Sequence, residues 1–510
     1  MPGQSTRSSN VSTRPRGTSR SADRADSWNG RVGQVPLILL LLGFALAARV
    51  VMAVVLPPWQ SPDEPKHFEY VRLVVDLRDD LLAQHRILRL SDARPVLQQQ
   101  IIASMAANHF WPYLGQKTPN PLPSGFRSIW PEGTDTQLHR PSVYYYVSAA
   151  FLLPFAGQPI EQQLLVVRLI SALLSTLTVW LVYLAGRELR TDDRFIALGA
   201  AALVAALPMH IFIGGAVNTD NIVSLVGALF ALVVAAGLRR GLDWRWCAVL
   251  AGVFILGLAA KRTAVGLLPP LLLVLLMWLT AGRGRGWSYA RIALVAGCVL
   301  VGVGFGSGLF QRLPVVGSLR NLVITYALNY PGQVDALLQG PLRQASTWTL
   351  VQNQLAMLFR SFWGLFGWFS VPLSVELYTA LAGLVGAGAA GLLGWLIVEL
   401  ARLWRKPTPE RSRQLLTMLV YLVMIASMVV LAVGERLAYF SARDVPQGRY
   451  LFVTITPLAL TLLVGLRAYL PQRLVGTRWP SVIASGLLVA FAVVVYTAYI
   501  LPAYAWRSFT

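Results

Sequence analysis

The sequence predicts an all-α, polytopic membrane protein of about eleven transmembrane helices, with juxtamembrane helices in its outer loops. Three observations predict it. Of 510 residues, 55% are hydrophobic and only 13% are charged, with a mean hydropathy of +0.56, a balance that excludes a soluble globular chain. Apolar runs long enough to cross a bilayer, about 17–25 residues, recur along the chain. The short segments between them are rich in arginine, and these segments fall on one side of the membrane. The net charge of +21 belongs to that pattern. No RNA- or DNA-binding motif accompanies it, so no nucleic-acid partner is expected. Cys247 and Cys298 lie in or beside apolar runs and suggest neither a disulfide framework nor a metal knuckle.

Residues 1–31 form a basic tail rich in Ser, Arg, Gly and Thr, expected to be disordered and cytoplasmic. The run 32–56 is too long for a signal-peptide core and has no small-residue cleavage site, so it is expected to be a retained span. Further runs occupy 162–186, 195–213, 220–238, 246–260, 264–281, 291–309, 375–400, 414–434, 449–469 and 481–501. The run 246–260 is short and suits a tilted or broken helix. Two stretches, 142–157 and 356–372, are ambiguous, and charge decides. If neither spans, the loops holding Arg187 and Arg190, Arg239 and Arg240, Arg283 and Arg285, Arg402 and Arg405, and Arg473 and Arg478 all share the side of the basic tail. Both stretches are therefore expected to be interfacial or re-entrant, with the N-terminus inside and the C-terminus outside. The resulting division is a transmembrane module 32–309 with an outer loop 57–161, a second outer loop 310–374, and C-terminal helices 375–510.

The first outer loop opens with Pro57-Pro58-Trp59-Gln60-Ser61-Pro62-Asp63-Glu64-Pro65-Lys66-His67. Two carboxylates and a histidine thus stand at a bilayer surface, where ionisable groups suggest chemistry on a membrane-bound substrate. Another reading stays open: Ser61-Pro62-Asp63-Glu64 matches a capping box, with Ser61 as N-cap and Glu64 three residues on. From Pro65 to Leu82 the pattern is an amphipathic helix lying on the bilayer. His139-Arg140-Pro141-Ser142-Val143-Tyr144-Tyr145-Tyr146 opens a second surface helix, with tyrosines suited to the interfacial belt.

The outer cations Arg140, Lys261, Arg262, Arg360 and Arg449 depart from the one-sided rule. They either anchor to lipid headgroups or hold an anionic phosphate. Asp220 is most simply a cap on the following span. A divalent metal held by Glu64 and His67 is compatible with the pattern, but no third ligand is assignable. No phosphate loop, Walker motif or nucleophile elbow is present.

Taken together, Pro62-Asp63-Glu64 with His67 after the first span, His139-Arg140-Pro141-Ser142-Val143-Tyr144-Tyr145 opening an interfacial helix, and Lys261 before a Leu-Pro-rich span resemble the GT-C superfamily of integral membrane glycosyltransferases. Phe362-Trp363-Gly364, Phe366-Gly367-Trp368 and Gln447-Gly448-Arg449-Tyr450 add a likeness to a group of predicted bacterial membrane proteins within it. The resemblance covers residues 32 to about 470. It departs at Arg140-Pro141-Ser142, where other transferases of the superfamily carry Pro-Pro-Leu.

The resemblance implies a GT-C-like fold in a bacterial inner membrane. It implies a polyprenyl-phosphate-linked sugar donor and a glycan, lipid or protein acceptor on the outer face. A lipid phosphate is already a good leaving group, so it needs cations rather than a proton donor, and the acceptor hydroxyl needs one base. Asp63 is then the base, displacing phosphate with inversion. Glu64 and His67 orient it or bind acceptor, and Lys261, Arg262 and Arg449 steady the leaving phosphate. His139, Arg140, Tyr144, Gln447 and Tyr450 complete the expected substrate contacts. The second outer loop, with Trp363 and Trp368, is expected to cover the site or stack on sugar. The rival expectation is a lipid or sugar transporter or flippase without transferase chemistry. Broken spans and ionisable groups at mid-membrane would favour it.

Overall fold

The computed structural model describes residues 35–76, 87–130, 142–190, 193–280, 345–439, 446–474 and 477–504. Its framework is helical. The first span is α1 (Val35–Val55). The long loop after it holds α2 (Glu64–Asp76), α3 (Ile87–Ala107) and α4 (Val143–Leu152). Then come α5 (Ile160–Leu189), α6 (Arg194–Ala206), α7 (Pro208–Gly214), α8 (Asp220–Arg240), α9 (Trp244–Ala260) and α10 (Leu268–Thr280). After residues outside the described set come α11 (Ala345–Trp363) and a two-residue antiparallel ribbon, β1 (Leu365–Phe366) with β2 (Val371–Pro372). The chain closes with α12 (Val375–Arg405), α13 (Pro409–Tyr439), α14 (Ile455–Arg467) and α15 (Trp479–Val495).

Among the described residues, eight helices are long and apolar enough to cross a membrane, or nine if the bent pair α6–α7 is one span. The protein is thus a multi-pass membrane protein. Helix α9 is a shorter apolar helix, as the run 246–260 suggested, and the run 291–309 lies outside the described residues. The expected eleven spans are therefore not all seen. The stretch 142–157 holds only the short apolar helix Val143–Phe155. The stretch 356–372 is not one interfacial helix: α11 stops at Trp363 and the chain turns into the ribbon.

Burial sorts the spans. In α8, 83% of the apolar window is buried, against 17% in α12. Helix α8 lies in the middle of the fold, while α12 shows Leu393, Ile397 and Leu400 on its outside, as a lipid-facing helix does. The bend between α6 and α7 is 60° and falls at Pro208. Proline has no N–H for the Val204 carbonyl four residues back, so the ladder opens there. The guanidinium of Arg49, fully buried on α1, donates to the Val204 and Ala205 carbonyls, both at 3.3 Å, to Ser175 Oγ at 2.6 Å and to His210 Nδ1 at 2.7 Å. The break is thereby stitched from another helix.

The loop between α1 and α5 has its own core, which the sequence pattern did not suggest. Helix α2 does not lie on the bilayer as a free amphipathic helix. Helix α3 covers it, and Glu69 on its polar side is buried, receiving Arg94 Nε at 2.9 Å and Gln98 Nε2 at 2.6 Å. A charged face that finds partners inside the loop has no need of water.

Candidate functional site

The segment between α1 and α2 is held in unusual backbone. Trp59 and Asp63 both adopt the left-handed region, with φ of 72° and 63°. For a residue as bulky as Trp this is costly, and such strain survives only when neighbours over-determine it. Trp59 supplies those neighbours: its N–H donates to Glu64 Oε2 at 3.1 Å, its indole N–H to Ser104 Oγ at 3.0 Å, and its carbonyl accepts Trp368 Nε1 at 3.2 Å.

The capping box does not form. Helix α2 begins at Glu64, so Asp63 stands just before it, and Ser61 Oγ is buried without a hydrogen-bond partner. Glu64 turns inward instead. Its carboxylate takes Arg168 Nε at 2.9 Å, Arg168 Nη2 at 2.7 Å, and the N–H groups of Trp59 and Val217 at 3.1 and 3.0 Å. Arg168 spends its remaining donors on the carbonyls of Ala53, Leu56 and Pro57 at the end of α1. Neither Glu64, with no exposed surface, nor Arg168 has a bond left for a substrate. The catalytic role expected of Glu64 is thereby corrected: it is a structural pin.

Asp63 points the other way. Its Oδ2 receives Arg449 Nη2 at 2.6 Å, and its side chain is 31% exposed. Arg449 Nε faces Asp220 Oδ2 at 3.6 Å, too far for a hydrogen bond, and both atoms lack hydrogen-bond partners. Lys261 Nζ binds Asp220 Oδ1 and stands 5.5 Å from the centre of the Tyr450 ring, with the Arg449 guanidinium 6.0 Å from the same ring. Burial would raise the Asp63 carboxyl, but the charges of Arg449, His67 and Lys66 and the hydrogen bond from Arg449 outweigh it and hold it well below the usual carboxylate range. His67 lies one turn along α2, its N–H on the Asp63 carbonyl at 3.0 Å and its Nδ1 2.8 Å from Tyr145 Oη. Burial, aided by Lys261 and Arg449 against the pull of Asp63, lowers it to about 3 and keeps the ring neutral. Burial also lowers Lys261, against the pull of Asp220.

The elements that bring these groups together can be read locally. Lys261 closes α9 at its junction with the turn Arg262–Leu267, which Arg262 opens. Gln447 precedes the tight turn Gly448–Thr454, and its carbonyl accepts the Tyr450 N–H at 3.0 Å. Gly448 is there for space: a Cβ would meet the Phe362 backbone nitrogen at 2.1 Å, and its N–H donates to Ser361 Oγ at 2.7 Å. Tyr144 faces away, bonded to Ser171 at 2.7 Å, and Tyr145 is the tyrosine at the site. His139 and Arg140 lie outside the described residues. Trp363 is packed inside and offers no face for a sugar, while the part-exposed Trp368 has one face stacked on Trp130, with ring centres 5.5 Å apart.

The sequence does not single out Arg168, and it reads Asp220 most simply as a cap. The signal for Arg168 was an arginine inside an apolar run, which has to find a carboxylate or carbonyls. Among the described residues no three His, Cys, Asp or Glu side chains converge as metal ligands. Glu64 has no lone pair left for a metal, since Arg168 and the Trp59 and Val217 N–H groups take its carboxylate.

Beside the Arg449 turn runs an apolar groove of about 330 Å³, lined by Leu358, Phe362, Trp363, Gly388, Leu392 and Leu451 among others. Leu451 is two residues from Arg449, and Phe362 is the residue that Gly448 touches.

Among solved structures, the fold is similar to ArnT from Cupriavidus metallidurans in the apo state, at 13% identity and a TM-score of 0.42, covering 91% of this chain and 65% of that one. It is similar also to the Archaeoglobus fulgidus oligosaccharyltransferase AglB, solved with an inhibitory peptide and a dolichol-phosphate, at 15% identity and a TM-score of 0.42, covering 92% of this chain and 55% of that one. The chain thus spans less than two thirds of either protein. No curated protein matches the sequence. The family described as predicted membrane protein (DUF2142) matches residues 44–460, and by that match the chain belongs to this family.

Proposed function

We propose that this protein is a membrane glycosyltransferase. It moves a sugar from a polyprenyl-phosphate-linked donor to an acceptor hydroxyl on the outer face, with inversion and with Asp63 as base. One observation carries the reading: a part-exposed carboxylate and two cations, Lys261 and Arg449, gather beside an apolar groove. Such a site matches an amphiphile with an anionic head. The groove takes part of the isoprenoid chain. Lys261 and Arg449 take the phosphate.

The Asp63 carboxylate accepts the proton of the acceptor hydroxyl, the hydroxyl oxygen attacks the anomeric carbon, and the bond to the phosphate oxygen breaks. Polyprenyl phosphate leaves with the electron pair, its growing charge steadied by the two cations. Before the donor arrives, Arg449 suppresses the basicity of Asp63. A donor phosphate competes for the guanidinium, and the carboxylate becomes a better base as that charge is shared.

Purified full-length protein in nanodiscs, titrated with farnesyl phosphate, tests the anion site. Binding by the native protein and its loss in the Lys261→Ala, Arg449→Ala double variant is expected. Equal binding by both overturns the reading. The transporter reading draws on the break at Pro208 and the buried Arg49. Movement of a polyprenyl-phosphate sugar across proteoliposomes without transfer to any acceptor would favour it instead.

A further inference from the structure

Helix α4 is fixed in rotation at three points. Ser142 accepts the Tyr144 N–H at 3.2 Å, and its hydroxyl donates to the Ala260 carbonyl at 2.5 Å, next to Lys261. The Tyr144 hydroxyl meets Ser171 on α5 at 2.7 Å. With Tyr144 held against α5, the next side chain turns by a helical step toward α2. There the buried Tyr145 stacks on Tyr70 with ring centres 4.2 Å apart, and its hydroxyl lies 2.8 Å from His67 Nδ1. Among the described residues no group bonds the other ring nitrogen, Nε2. The charged groups whose fields reach that ring are Asp63, Asp220, Lys261 and Arg449, the same four that form the candidate site.

We propose that Tyr145 is a positioning residue: its hydroxyl donates to His67 Nδ1, which fixes the neutral ring as the Nε2–H tautomer and presents that single N–H to an oxygen of the bound phosphate donor. The direction of the bond follows from acidity. A phenol, with a pKa near 10, gives up its proton far more readily than a neutral imidazole N–H, so O–H···N is the favoured sense. A neutral imidazole then has one donor left, on Nε2. Lys261 and Arg449 contribute charge to an anion; His67 contributes direction. The proposal rests on the phosphate reading for what Nε2 binds, but not for the tautomer.

The test uses full-length protein labelled with ¹⁵N-histidine. The chain has five histidines, so its imidazole nitrogen spectrum is simple. His67→Gln identifies the His67 signals by their disappearance. In the native protein those signals are expected to show Nε2 protonated and Nδ1 bare, unchanged between pH 8 and 5. Tyr145→Phe keeps the stacking ring and removes only the hydroxyl. It is expected to shift the His67 Nδ1 signal and admit the other tautomer, and to weaken farnesyl phosphate binding about threefold to tenfold, the loss of one oriented hydrogen bond. Tyr144→Phe is the structural control and is expected to leave the His67 signals in place. A His67 ring protonated at Nδ1 in the native protein, or one unmoved by Tyr145→Phe, overturns the proposal. If the tautomer behaves as stated but native protein does not bind farnesyl phosphate, the phosphate reading has failed and the Tyr145–His67 coupling stands.

Discussion

Asp63 and Glu64 are consecutive, and each meets an arginine, yet their surroundings are opposite. Around Glu64 and Arg168 every charged-group bond is taken, and the arginine also closes the carbonyls at the end of α1. Around Asp63 and Arg449 the bonding is incomplete: Asp63 is part-exposed, and Arg449 Nε and Asp220 Oδ2 lack hydrogen bonds. A saturated buried pair can only hold the fold together. An unsaturated one beside strained backbone keeps bonds available for something else.

Variants at the two sites should therefore fail in different ways, and the largest effect belongs to the closed pair. Arg168→Leu leaves Glu64 buried and unpaired and should cost about 3–5 kcal/mol, read as lost thermal stability or lost expression of the purified protein. A stable Arg168→Leu protein would erase the contrast. Next comes Asp63→Asn. It should fold normally while sugar transfer from a polyprenyl-phosphate donor falls by about 10²–10⁴, because an amide accepts no proton. A transfer rate within a few fold of native would remove Asp63 from the chemistry. Lys261→Ala and Arg449→Ala should each weaken donor binding by about 1.5–3 kcal/mol in a titration, with smaller changes in stability.

The pH dependence sharpens the comparison further. His67 is lowered to about 3 from an ordinary 6.5. Between those values the unfolded chain binds a proton that the folded ring refuses. Its contribution to stability is full above 6.5 and is lost as the pH falls toward 3, by up to about 1.4 kcal/mol per pH unit. Melting temperatures of native and His67→Gln protein over this window should converge as the pH drops. The smallest effect is at Ser61. With no cap bond to lose, Ser61→Ala should stay within about 0.5 kcal/mol of native stability.

What the sequence made legible was polarity along the chain. Charge placed Lys261 and Arg449 among the few cations off the arginine-rich side, and the structure brings both to Asp220, with Arg449 bonded to Asp63 as well. Rotation about a helix axis was not legible. Tyr144 is the expected contact from a run of three tyrosines, and its bond to Ser171, with that of Tyr145 to His67, puts Tyr145 at the site instead. Long-range pairing was hidden too. Asp220 reads as a cap until Lys261 arrives from 41 residues away, and Glu64 reads as a cap or catalytic group until Arg168 arrives from 104. The break at Pro208 was hidden inside a run, 195–213, that hydropathy alone treats as continuous.

Arg49 has a consequence for how the protein is made. The Val204 carbonyl that receives its guanidinium lies 155 residues further along the chain. During synthesis α1 reaches the bilayer first, carrying an arginine whose acceptors on α6 do not yet exist. An arginine inside a spanning helix costs up to roughly 2.5–3.5 kcal/mol on insertion scales, the cost at the helix centre. The helix is thus expected to wait beside the translocon until α6 emerges. Position 49 in chains stalled before α6 should crosslink to the translocon, and in chains stalled beyond α9 it should have left.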